Sequence, residues 1–153
     1  MQKILWLDDE SLSISFERDI LIPDEIDVTL KIVPFEKINE LMEYISCNKI
    51  DFNDIFIIDI MLISEEEIIL EKAKSIPIPN DLMAGATLYI EFLSDTFPDN
   101  PIILYTSREH SGDVFQHITN DERYEDTLFL IDKWKKDTEL ISVLKSLVEG
   151  ENL

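Results

Sequence analysis

The chain has 153 residues, 33 Asp and Glu against 13 Lys and Arg for a net charge of -20, and a 45% hydrophobic fraction. That length suits one domain with a sizeable core, the charge argues against direct binding to nucleic acid or an anionic membrane surface, and the hydrophobic fraction argues against disorder. Cys47 is the only cysteine, which excludes an intrachain disulfide framework and a cysteine-rich zinc site; with no basic leader and no long apolar run, the expectation is an unprocessed cytoplasmic protein.

In chain order, Ile4–Leu7 reads ILWL, a short apolar run of the kind that forms a strand buried on both faces. The segment after Glu10, with three serines among residues 11–15, reads as an irregular helix. Between Asp27 and Val33, Val28, Leu30 and Ile32 alternate with Thr29 and Lys31, as in a half-exposed edge strand. Phe35, Ile38, Leu41, Met42 and Ile45 then share one helical face. IFII over Ile55–Ile58 is another buried-strand run. The stretch 64–81 is far longer than a tight loop needs and reads as an insertion. Ser64 and Glu67 have capping-box spacing there, and Pro77 and Pro79 stop any helix they start. Ala86, Tyr89, Ile90, Leu93 and Phe97 predict the next helix, IILY over Ile102–Tyr105 a strand, and the segment after Arg108 a further helix with Gly112 near its start. LFLI over Leu128–Ile131 is the last strand run, and Leu140, Ile141, Leu144, Leu147 and Val148 form the most regular helical face.

Strand and helix thus alternate, which predicts a doubly wound α/β domain: a five-stranded parallel sheet with helices on both faces and right-handed crossovers. Any ligand site then lies beyond the carboxyl ends of the strands. Read to their ends, the strands deliver Asp8 and Asp9, then Asp59, then Thr106 and Ser107, then Lys133. Carboxylates gathered at one rim repel one another, and a divalent cation is the natural remedy. Mg²⁺ suits such a rim because it takes a few carboxylates, retains water and bridges to phosphate oxygens. Lys133 and the Thr106 hydroxyl then supply positive charge and a hydrogen-bond donor to a phosphoryl group. Singly, each residue has a plainer reading: Asp8 and Asp9 as a helix cap, Thr106 as a turn residue, Lys133 as a surface lysine beside Lys135 and Lys136. Asp59, set between IFII and IML, is costly without a partner, and the correlated positions carry the inference. His110 and His117 have no matching cysteine and read as solvated surface.

With LWLDDES, FIIDIM, LYTS and IDKW in that order, the chain resembles the response-regulator receiver family from about Lys3 to Val148. The resemblance implies the CheY-like, flavodoxin-like strand order 2-1-3-4-5, with the insertion falling between strand 3 and helix 3 of one receiver-like domain spanning 1–153. It implies that Asp59 takes a phosphoryl group from a histidine kinase, a histidine phosphotransfer protein or a small phosphodonor. It also implies that Asp9, Asp59 and the Met61 carbonyl bind Mg²⁺, with Asp8 acting directly or through water, and that Lys133 and Thr106 meet the phosphoryl oxygens. The output is a switched surface for a downstream protein effector, in a stand-alone receiver that is no enzyme beyond its own phosphorylation and dephosphorylation.

The sequence departs from the family at several positions. Trp134 replaces the proline that commonly follows the lysine, and Leu130 stands where a switching aromatic is often found. Ile63 replaces the proline after the phosphorylation site, and the loop glycine comes only at Gly85. The altered fifth strand and the insertion favour an alternative, a pseudo-receiver that binds partners without phosphorylation, whereas the intact chemical positions favour the phosphorylated receiver. A haloacid-dehalogenase-like phosphatase, with Asp8 as nucleophile and Glu10 as second acid, fails on order, since its final acidic pair follows the lysine strand whereas Asp59 precedes Thr106.

Overall fold

The structure is a computed structural model that describes residues 2–9, 15, 17–26, 30–60, 84–106, 113–133 and 137–149. Strands β1 (Gln2–Leu7), β2 (Leu30–Phe35), β3 (Ile55–Ile58), β4 (Ile102–Thr106) and β5 (Leu128–Asp132) form one parallel sheet in the order β2-β1-β3-β4-β5. Helix α1 is a π-helical turn over Glu17–Leu21 running into an α-helical turn over Ile22–Glu25. Helix α2 spans Ile38–Cys47, α4 Asp113–Thr119 and α5 Asp137–Glu149. Helix α3 is built in three parts, Ala84–Leu88, a π-helical turn at Tyr89–Leu93, and Ser94–Thr96. No described helix is long and apolar enough to cross a membrane.

Strand alternation sorts the core into two layers. Leu5, Leu7, Phe56, Ile58, Ile102 and Leu104 pack against α2, α3 and α4 through Leu41, Leu88, Leu93, Phe115 and Ile118. Ile4, Trp6, Ile55, Ile57, Ile103 and Tyr105 face the other way, against Ile22 and Ile26 of α1 and Leu140, Ile141 and Leu144 of α5. The three central strands are apolar on successive residues because both faces are covered.

The predicted sheet, strand order and helical layers therefore hold, with differences at the edges. β2 begins at Leu30 and runs to Phe35, so Phe35 ends a strand rather than starting a helix; Asp27, Val28 and Thr29 lie outside the described residues. Pro34 is tolerated because β2 pairs only with β1 and one side of its backbone needs no ladder. β5, expected to be buried on both faces, is the opposite edge, and Phe129 and Leu130 are only partly buried. The insertion at 64–81 lies outside the described residues.

The edge of the sheet at the strands' amino ends is closed by polar groups. The Asp54 carboxylate, fully buried, accepts the backbone N–H of Lys3 at 2.9 Å and of Asp51 at 2.8 Å. Asn100 donates to the carbonyls of Asp51 and Asp54 at 2.8 and 2.9 Å. The Arg123 guanidinium donates to the carbonyls of Phe97 and Asn100 and to Thr127 Oγ1, tying the end of α3 to the turn before β5. These groups hold the loops that must be correct at one end if the strands are to end in register at the other.

Candidate functional site

At the carboxyl edge the backbone ladder continues one residue past three strands and so fixes where the side chains emerge. The Asp8 N–H donates to the Phe35 carbonyl at 3.0 Å, Asp59 N–H to Leu7 at 2.9 Å, and Lys133 N–H to Thr106 at 2.9 Å. Asp8, Asp59 and Lys133 are thereby set by the sheet rather than by loops, which gives a site its precision.

Asp8, Asp9 and Asp59 each offer a carboxylate oxygen within 4.8 Å of the other two. Asp8 and Asp59 are buried and Asp9 is half-buried. The Lys133 ammonium sits between the buried pair, 2.5 Å from Asp8 Oδ2 and 3.2 Å from Asp59 Oδ2, so residues far apart in the chain meet at one point. Burial alone would lower the lysine pKa. The charges of Asp59 and Asp8, with the hydrogen bonds they accept, outweigh burial and hold it above the ordinary lysine value. The ammonium is charged and acts as a local counter-ion to the acids.

Thr106 ends β4 fully buried, between the strand that delivers Asp59 and the residue that carries the ammonium. Asp132, next to Lys133 in the chain, is the last residue of β5, and successive strand residues point to opposite faces. Met61, Ser107, His110 and Trp134 lie outside the described residues, as does any metal contact of the Met61 carbonyl.

The oxygen-only donor set fits Mg²⁺ and not a soft metal, since three convergent carboxylates leave room for retained water. A single ammonium does not balance three acids, and a divalent cation would.

Tyr105 was not legible as part of the site, and Gly85 was read only as a displaced loop glycine. Tyr105, the penultimate residue of β4, presents its ring to the Lys133 ammonium at 5.8 Å from the centroid. Its signal was alternation, which turns it away from Leu104. Gly85 packs onto the backbone that follows β3: its N–H donates to the Ile60 carbonyl at 3.1 Å, and a Cβ there would lie 1.8 Å from the Asp59 carbonyl oxygen. Only glycine lets α3 approach the acid this closely.

No family model matches the sequence, and no curated protein matches it. Solved structures do. A response regulator protein from Thermotoga maritima in complex with Mg²⁺-BeF superposes with a TM-score of 0.60 at 19% identity, over 97% of this chain and 100% of that one. A CheY-like receiver domain protein from Methanospirillum hungatei matches with a TM-score of 0.62 at 14% identity, covering 97% and 95% of the two chains. A response regulator from Burkholderia pseudomallei with a phosphorylated aspartic acid, calcium ion and citrate gives 0.59 at 14% identity, covering 98% of this chain and 71% of that one. At such identities the likeness is one of fold: the chain shares the CheY-like, doubly wound fold of the receiver domains it superposes on.

Proposed function

We propose that the chain is a phosphoacceptor receiver that takes a phosphoryl group on Asp59, in two-component or phosphorelay signalling. The observation that carries this reading is the Lys133 ammonium shared by Asp8 and Asp59 beside a third carboxylate, Asp9. A lone buried acid would be accounted for by its ion pair. Three acids with one ammonium, at the edge where α/β sheets bind ligands, call for a cation and an anionic group that complete the balance.

In this reading a carboxylate oxygen of Asp59 attacks the phosphorus of a phosphohistidine or acyl phosphate. An O–P bond forms to Asp59 as the bond from phosphorus to the leaving nitrogen or oxygen breaks, and the leaving group departs with that electron pair. Asp8, Asp9, Asp59 and the Met61 carbonyl would hold Mg²⁺, whose charge would let an anionic donor approach three acids. Lys133 turns from the carboxylates to the phosphoryl oxygens, and the Thr106 hydroxyl donates to another. Movement of Thr106 and Lys133 then alters the surface around β4 and β5, which a downstream effector protein reads. The donor protein is a histidine kinase or histidine phosphotransfer protein, and turnover is confined to the chain's own aspartyl phosphate.

The test is incubation with Mg²⁺ and acetyl phosphate followed by intact mass. The wild type is expected to gain one phosphoryl group, and neither Asp59→Asn nor the wild type in EDTA should. A folded, Mg²⁺-binding wild type with no adduct would contradict the proposal and favour the pseudo-receiver, a reading favoured by Leu130, a partly buried leucine where the family often has a switching aromatic.

A further inference from the structure

Three side chains that meet Lys133, those of Asp8, Asp59 and Tyr105, differ in kind. Asp8 and Asp59 hold the ammonium by charge. The Tyr105 ring holds it by its face, with Nζ 5.8 Å from the centroid, inside the roughly 6 Å range where a cation is attracted to an aromatic quadrupole. Both carboxylates are needed elsewhere during phosphoryl transfer, one as a metal ligand and the other as the attacking group. Their grip on the ammonium must weaken just when its position matters. The ring neither binds metal nor attacks phosphorus, so neither event takes it from the ammonium.

Tyr105 is also well placed to stay still. It is 1% exposed and stands edge-on to Trp6, with centroids 6.0 Å apart and planes at 72°. Both rings lie in the layer packed by Ile22 and Ile26 of α1 and by Leu140 and Leu144 of α5. By contrast, a lysine has a flexible four-carbon stem and needs an external hold to keep its head at one point.

We propose that Tyr105 is a positioning residue, whose ring face keeps the Lys133 ammonium at the rim while Asp8 and Asp59 are engaged with metal and phosphorus. This rests on the phosphoacceptor reading of Asp59. It assigns a role to the face of β4 opposite Leu104, and ties α1 and α5 to the state of the site through the Trp6–Tyr105 pair.

The test uses the full chain with Mg²⁺ and a concentration series of acetyl phosphate, following adduct formation by intact mass for wild type, Tyr105→Phe and Tyr105→Leu. Tyr105→Phe, which keeps the ring, is expected to match the wild type's maximal rate within about twofold. Tyr105→Leu should be slower by about fivefold at saturating donor. Its Mg²⁺ affinity by calorimetry should stay within about twofold of wild type, because the carboxylates are untouched. An NMR spectrum of the wild type supplies a check that no variant has to survive: the Lys133 methylene protons nearest the ammonium should be shifted upfield by the ring current. A Tyr105→Leu rate equal to wild type, a Tyr105→Phe rate as low as that of Tyr105→Leu, or unshifted Lys133 protons would overturn the positioning role alone. A wild type that forms no adduct would overturn the phosphoacceptor reading beneath it.

Discussion

Lys133 is the shared counter-ion of two carboxylates whose side chains are 1% and 5% exposed, so its loss should be felt as stability before it is felt as function. Cutting one partner from a buried charged cluster leaves the others without their counter-ion, typically at about 3 kcal/mol. Lys133→Ala is therefore expected to lower the urea midpoint in EDTA, and added Mg²⁺, supplying the missing charge, should recover part of the loss. The same lysine gives a pH signature. Its folded pKa lies above the ordinary value of 10.5, so its contribution is complete below that pH and is lost as pH rises through the folded value. Urea titrations in EDTA should show the gap between wild type and Lys133→Ala persisting past pH 10.5 and closing only as pH rises further, the signature of a raised lysine pKa; a gap that does not close would contradict the ion-pair account. Asp8, Asp9, Asp59, Thr106 and Lys133 were each legible in the sequence because a polar residue at the end of a buried strand contributes little to packing and so points to a site. Tyr105 was not, because an aromatic at the end of an apolar run looks like core, and it is core on every side but one.

Among the elements, α3 shows how little room the site leaves. Its first turn lies against the backbone of Asp59 and Ile60, and a Cβ on Gly85 would meet the Asp59 carbonyl oxygen at 1.8 Å and Ile60 Cα at 2.8 Å. Those are backbone atoms, so either the helix or the acid must move. Gly85→Ala is expected to cost about 2 kcal/mol or more in urea unfolding and to weaken Mg²⁺ binding, measured by calorimetry. Full Mg²⁺ affinity in that variant would show that the helix, and not Asp59, gives way. Periodicity predicted α3 from Ala86, Tyr89, Ile90, Leu93 and Phe97, but not the π-helical turn at Tyr89–Leu93, where Ser94 N–H donates to the Tyr89 carbonyl. That turn leaves Tyr89 buried with its hydroxyl on Asp121 at 2.7 Å, a tertiary contact no local pattern announces. The burial of β5 was misjudged for a related reason: a run such as LFLI states that residues are apolar, not how many neighbours the strand has.

For the molecule as a whole, the sheet separates two tasks. Asp54, Asn100 and Arg123 secure the loops at one edge, and the carboxylates and Lys133 meet at the other, so strand register carries the geometry between them. Alternating strands and helices made this architecture legible, since only a parallel sheet buries so many continuous apolar runs. The partners of Asp54 and Arg123 were not legible, because most are backbone groups brought near by the fold. The net charge of -20 makes one more concentrated anionic pocket ordinary by itself, and what sets this one apart is convergence. Convergence is best tested by adding a small fraction of Mn²⁺ to the isotope-labelled protein and recording which backbone amide signals broaden. The account predicts that residues 8, 9, 59, 60 and 133 broaden together, and that Asp59→Asn weakens the effect at all of them. Broadening scattered over the acidic surface, or confined to residues 8 and 9, would contradict a single cation site built from three strands.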